Sequence, residues 1–171
     1  MSIRTNCASS ASVAEDGSVI TLTATLTGST YTDTTVVLGG SGTATNTSDY
    51  PIANITIAAG ETSGTASFTP IEDNLYEGVT ENAIISISSV SGGGATESGD
   101  QLVTITIIDA DSAPTVTLTS SAASIAENSS SSLTLTATLN RSTYETVTVT
   151  LSTSGTARAG TDYESLSSIT I

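Results

Sequence analysis

The chain repeats itself at a spacing of about 113 residues, and this constrains its fold more than any other feature. Leu22-Thr23-Ala24-Thr25-Leu26 returns unchanged as Leu135-Thr136-Ala137-Thr138-Leu139, and Ser41-Gly42-Thr43-Ala44 returns as Ser154-Gly155-Thr156-Ala157. Asp49-Tyr50 comes back as Asp162-Tyr163, and Ile55-Thr56-Ile57 as Ile169-Thr170-Ile171. Solenoid units run about 20 to 50 residues, so a period this long means tandem domains. The 171 residues therefore divide into one complete unit, 1–111, and the N-terminal half of a second, 112–171. The boundary is expected at Asp111-Ser112-Ala113-Pro114, where Pro114 stops one strand before Val116 starts the next.

Ile20, Leu22, Ala24 and Leu26 alternate with threonines, so one face of the segment is aliphatic and the other polar. Similar runs occur at 85–88, 103–107, 116–118 and 147–151, and no stretch keeps helical periodicity over three turns. Gly39-Gly40, Ala59-Gly60-Glu61, Gly92-Gly93-Gly94 and Ser98-Gly99-Asp100 are expected to interrupt the strands. About seven short strands per unit, each with one apolar face, imply an all-β fold. The expected architecture is immunoglobulin-like antiparallel β-sandwich domains in tandem, the second incomplete. A half-sandwich would leave apolar surface and strand edges uncovered, so the second unit needs either further chain or strands donated by a neighbour.

The formal charge is −14, because seventeen carboxylates are balanced by only Arg4, Arg141 and Arg158. Such a surface repels nucleic acid and anionic membranes and favours whatever neutralises its acids, a divalent cation above all. Cys7, the lone cysteine, excludes an internal disulfide framework and leaves either an inert thiol or an intermolecular bridge. No apolar run approaches the roughly 20 residues of a membrane helix, so no membrane insertion is expected. With no His and no Lys, the chain has no base to activate its many serines, and no enzymatic role is expected.

Several short segments, most of them acidic, follow one another in a fixed order, and the first half of the set returns in the second unit. They are Ser12-Val13-Ala14-Glu15-Asp16-Gly17, Gly42-Thr43-Ala44 ahead of Ser48-Asp49-Tyr50, Ala59-Gly60-Glu61-Thr62, Ile71-Glu72-Asp73-Asn74-Leu75-Tyr76-Glu77, and Ile107-Ile108-Asp109-Ala110-Asp111. Taken together they resemble the Calx-beta domain, a calcium-binding β-sandwich of sodium/calcium exchangers, integrin β4 and repeat-built bacterial surface proteins. The resemblance implies that Glu15, Asp49, Glu72, Asp73, Glu77, Asp109 and Asp111 supply oxygen ligands to calcium at one end of the sandwich. Hard carboxylate oxygens on separate loops suit calcium, which accepts about six to eight of them in flexible geometry. Two departures, Ala110 between the two aspartates and Glu72 where Asp is common in the family, imply fewer ions per domain. The alternative reading is that these are ordinary strand-end acids, since Asp and Asn favour turns with or without a metal. Tyr50 and Tyr163 are expected to pack as caps on the core.

The function expected from this reading is a structural calcium-binding module of an extracellular bacterial filament or adhesin stalk at the cell surface, with calcium stiffening the interdomain joint. Its partners would be neighbouring repeats or identical subunits, extending to a homopolymer. A self-assembling fibre subunit completed by strand donation and a regulatory calcium sensor are the alternatives.

Overall fold

The computed structural model describes residues 1–8, 11–78 and 80–171, with the side chains of residues 5–8 left aside. The expectation for the Cys7 thiol lies outside the described side chains. Among the described residues the structure is all-β, and no helix is long and apolar enough to cross a membrane. Contacts divide the chain into two units, 1–73 with 79–110, and 74–78 with 111–171.

The first unit is a sandwich of two sheets. Its strands are β1 (Ser2–Ala8), β2 (Ser12–Ala14), β3 (Ile20–Leu26), β4 (Thr34–Gly42), β5 (Ile55–Ile57), β6 (Ser63–Phe68), β7 (Glu81–Ser91), β8 (Thr96–Glu97) and β9 (Leu102–Ile108). One sheet has the order β6-β3-β1-β8 and the other β2-β9-β7-β4-β5. The chain's first strand is thus divided between the sheets, β1 antiparallel to β3 in one and β2 parallel to β9 in the other. That division, with the two-residue β8 beside β1, raises the number of strands above the seven expected.

The alternation read in the sequence becomes the core. Ile20, Leu22, Ala24 and Leu26 on β3 are buried, and they face Val36, Ile55, Ile57, Ala83, Ile85, Ile105 and Ile107 of the other sheet within one cluster. Burying an aliphatic side chain of this size contributes about 1.5–3 kcal/mol, so such a two-sided layer is the main source of the unit's stability. Tyr50 and Phe68, both fully buried, stack with ring centroids 4.8 Å apart, which places Tyr50 in the core as expected.

Gly39-Gly40 does not interrupt a strand, contrary to the sequence expectation, but lies within β4. The reason is close packing: a Cβ on Gly40 would stand 2.3 Å from the Tyr50 hydroxyl, and one on Gly39 would stand 2.5 Å from Ser88 Oγ. Gly92, Gly93 and Gly94 do form a turn, with φ of 85°, 58° and 62° that only glycine adopts at little cost.

The second unit contains β10 (Val116–Ser120) paired antiparallel with β11 (Leu135–Leu139), and β12 (Thr148–Val149) paired antiparallel with β13 (Ile169–Thr170). The sequence of β11 is that of β3, yet its aliphatic side chains are only half-buried. The difference is tertiary: among the described residues β11 pairs with β10 in a two-stranded sheet, whereas β3 lies between β6 and β1 with the second sheet packed over it. Val116, Leu118, Ile125 and Leu166 consequently remain exposed.

Candidate metal centre

Register places the acidic strand ends of the first unit. In the parallel pair of β2 and β9, Val13 lies beside Ile107 and Ala14 beside Ile108, and the Glu15 amide donates to the Ile108 carbonyl at 3.0 Å. Glu15 and Asp109 therefore leave adjacent strands at the same end of the five-stranded sheet. On the other side of β9, Glu81 pairs directly with Ile107 at the start of β7. Residues facing each other across an antiparallel pair point to the same face. Glu81 thus stands on the core side with Ile107, two residues ahead of the buried Ala83. By the same period of two, Glu15 follows Val13 onto that side and is only 7% exposed. Three carboxylates of the first unit, Glu15, Glu81 and Asp109, so gather at one end of three neighbouring strands.

Glu81 has no place among the acids the sequence suggested. The signal was present, since the alternation Ala83, Ile85, Ile87 extends backward onto residue 81. Its neighbourhood with Asp109, however, depends on a pairing between β7 and β9 that no local pattern reveals.

Asp49 has a backbone role. Its carboxylate accepts from the Thr45 amide, its own amide donates to the Thr45 carbonyl at 3.0 Å, and its carbonyl accepts from the Ile71 amide at 2.9 Å. The second unit repeats the arrangement, with Arg158 donating its amide to Asp162 Oδ2 at 2.7 Å. Two loops of one design, one of them without the later acidic segments, identify this aspartate as a turn former. Asp49 also faces Tyr50, whose phenol is held above its ordinary pKa by burial and secondarily by the negative charge of Asp49.

Glu72 and Asp73 are exposed in the segment that follows Ile71. Glu77 and Asp111 fall in the second unit. There Asp111 Oδ1 accepts from Arg141 at 2.6 Å, the one ion pair among the described residues, so a cation already neutralises this acid. Arg141 stands where the first repeat has Gly28, a difference visible on aligning the repeats. Among the described residues no group of three or more His, Cys, Asp or Glu side chains is closed tightly enough to hold an ion. Register therefore brings Glu15, Glu81 and Asp109 near one another without assembling a coordination shell. Their donor chemistry is all hard oxygen, which fits calcium or magnesium and not the nitrogen and sulfur preferences of structural zinc.

The fold and these acidic strand ends define a class, the immunoglobulin-like β-sandwich with acids gathered at one end of a sheet. The model of the Calx-beta domain family matches residues 7–111 and again 109–169, and the chain belongs to that family. Among solved structures, the apo form of the Calx CBD1 domain is similar at 18% identity and a TM-score of 0.53, over 64% of this chain and 97% of that one. CBD12 from CALX1.2 matches at 17% identity and a TM-score of 0.53, over 64% of this chain. The calcium binding domain CBD12 of CALX1.1 matches at 18% and 0.52, over 63% of this chain. The matched region spans only 45% and 44% of the lengths of those last two chains. A comparison with curated protein sequences returned no match.

Proposed function

We propose that this chain is a non-enzymatic, calcium-binding structural module, repeated along an extracellular filament or adhesin stalk at the cell surface. The observation that carries the calcium reading is the gathering of Glu15, Glu81 and Asp109 at one end of the five-stranded sheet in a member of the Calx-beta family. One of the similar structures is named a calcium binding domain, which supports the same choice of ion.

In the first unit Glu15, Glu81 and Asp109 would hold the ion, and Glu72 and Asp73 lie on the exposed segment after Ile71. Calcium supplies charge neutralisation here: a net charge of −14 disfavours the compact state, and two positive charges at a cluster of acids oppose that repulsion. Asp49 serves the loop and is not needed as a ligand.

The stalk reading rests on the tandem repeat, the Thr-rich exposed faces and the absence of the bases that catalysis would use. Neighbouring repeats or identical subunits are its partners, and calcium near Asp109 would stiffen the passage from one repeat to the next. Small-angle scattering of the full chain in excess chelator and in a few millimolar calcium tests this. Greater bending after chelation is expected, and superimposable profiles would refute the stiffening role. Affinity separates the stalk from a regulatory sensor, since extracellular modules bind calcium at about 10⁻⁴–10⁻³ M and sensors at about 10⁻⁷–10⁻⁵ M.

A further inference from the structure

One tripeptide common to both copies of the repeat is bridged in the second unit and open in the first. Strands β3 and β11 share a sequence, and each runs within a few residues into Ser-Thr-Tyr: Ser29-Thr30-Tyr31 after β3 and Ser142-Thr143-Tyr144 after β11. In the second unit this tripeptide holds a guest segment, Asn74–Gly78, which is grouped with 111–171. The Tyr76 amide donates to the Ser142 carbonyl at 3.4 Å, and the Tyr144 amide donates to the Tyr76 carbonyl at 3.0 Å. The Thr143 hydroxyl donates to that same carbonyl at 3.0 Å. The result is a parallel bridge between Tyr76 and Thr143. The guest begins and ends on left-handed residues, Asn74 at φ 60° and Gly78 at φ 72°.

In the first unit the corresponding tripeptide is open. Tyr31 is fully exposed and Ser29 is exposed, and among the described residues neither the Ser29 carbonyl nor the Tyr31 amide has a hydrogen-bond partner. Both groups are counterparts of those that hold Tyr76 in the second unit. The backbone between them is already fixed, because the Thr30 carbonyl accepts from the Gly60 amide at 2.8 Å. Ser29, Thr30 and Tyr31 line an open cavity of about 390 Å³ with Ala59 and Gly60. The Thr30 hydroxyl differs from its counterpart in donating to the Thr32 carbonyl at 2.7 Å, so the first-unit strip offers two backbone groups without any rearrangement.

We propose that Ser29-Thr30-Tyr31 is a docking strip for the Leu-Tyr-Glu segment of a further repeat of this kind, which seats there through the same parallel bridge that Tyr76 makes with Thr143. Each repeat would then grip its successor through one exposed loop, a contact that is independent of calcium. A pairing of two or three hydrogen bonds is weak between free molecules and becomes effective when a tether raises the local concentration to about the millimolar range.

The test is a titration of the full ¹⁵N-labelled chain, in excess chelator, with a synthetic peptide of residues 71–78. Saturable movement of the Tyr31 amide resonance is expected, with Ser29, Thr30 and Gly60 moving alongside. A peptide N-methylated at the tyrosine that corresponds to Tyr76 lacks the donor for the Ser29 carbonyl and should lose the response. So should Tyr31→Pro, which removes the receiving amide. A Tyr31 amide unmoved at several millimolar peptide overturns the proposal, whatever occurs at Ser142–Tyr144, and so does an undiminished response to the N-methylated peptide. Because chelator is present throughout, failure here is separate from failure of the calcium reading.

Discussion

Tyr50→Phe should stabilise the first unit, although the residue is fully buried and stacked on Phe68. The Tyr50 hydroxyl is buried without a hydrogen-bond partner among the described residues, and it occupies the space that a Cβ on Gly40 would need. A buried polar group left unsatisfied costs about 1–3 kcal/mol, whereas the small void left by losing one oxygen costs a few tenths. The net gain is about 1 kcal/mol, or about 4 °C in melting temperature for a unit of about 100 residues. Gly40→Ala supplies the second arm, since its Cβ would stand 2.3 Å from that hydroxyl and 3.3 Å from the ring carbon bearing it. Overpacking of this kind costs about 1–3 kcal/mol. In the Tyr50→Phe background the shortest clash disappears, so the two changes should couple favourably by about 1 kcal/mol or more. Native-state hydrogen exchange at Ile85 and Ile105 reads the opening of this core without interference from the second unit. Tyr50→Phe should slow exchange there about fivefold, the ratio that corresponds to 1 kcal/mol. Destabilisation by Tyr50→Phe would refute the unsatisfied hydroxyl, and strict additivity of the pair would refute the contact with Gly40.

The raised pKa of Tyr50 gives folding a pH dependence with a definite sign. The unfolded chain loses this proton near its ordinary value of about 10 while the folded one keeps it, so stability is complete below that value and falls as pH rises towards the folded pKa. Urea unfolding between about pH 9 and 11 should show this fall, and Tyr50→Phe should lessen it. Asp49→Ala and Asp162→Ala should each cost their unit about 0.5–1.5 kcal/mol by orphaning an amide, and Asp49→Ala should leave calcium affinity unchanged in calorimetric titration. Arg141→Ala should cost the second unit less than about 1 kcal/mol, because the guanidinium is 37% exposed and the pair is screened by salt. Melts in about 1 M salt, where the Debye length is about 3 Å, should bring variant and parent together.

What the sequence shows clearly is whatever depends on neighbours along the chain. The period of two in Ile20–Leu26 reappears as strict alternation of buried and exposed side chains, and the ordered acidic segments identify the family before any pairing is known. What it hides is decided across the fold. Gly39-Gly40 looks like a break because glycine usually marks one, yet the requirement is clearance for Tyr50, a residue ten positions on. The alternation through Ala83, Ile85 and Ile87 marks the side of β7 on which Glu81 lies, but its neighbourhood with Asp109 comes only from the pairing of Glu81 with Ile107. Asp111 and Asp49 stand among the ligands that the Calx-beta resemblance implies. Their partners, the Arg141 guanidinium and the Thr45 amide, give them structural tasks that composition does not distinguish from metal ligation. Of these two partners, Arg141 had a sequence signal in its replacement of Gly28 in the repeat.

Calcium at the end of the five-stranded sheet is the central claim, and a thermal melt of the full chain in excess chelator and then in a few millimolar calcium tests it most directly. The parent would be compared with Glu15→Gln, Glu81→Gln and Asp109→Asn, three nearly isosteric changes that remove charge from the proposed ligands. An ion that binds only the folded state stabilises it by about 2.7 kcal/mol at 100 times its dissociation constant, which raises the melting temperature by several degrees. The expected result is such a rise in the parent, retained in Asp49→Asn and lost in all three ligand variants. A first-unit transition that calcium leaves unmoved, or a rise that survives Glu81→Gln and Asp109→Asn together, would contradict the account.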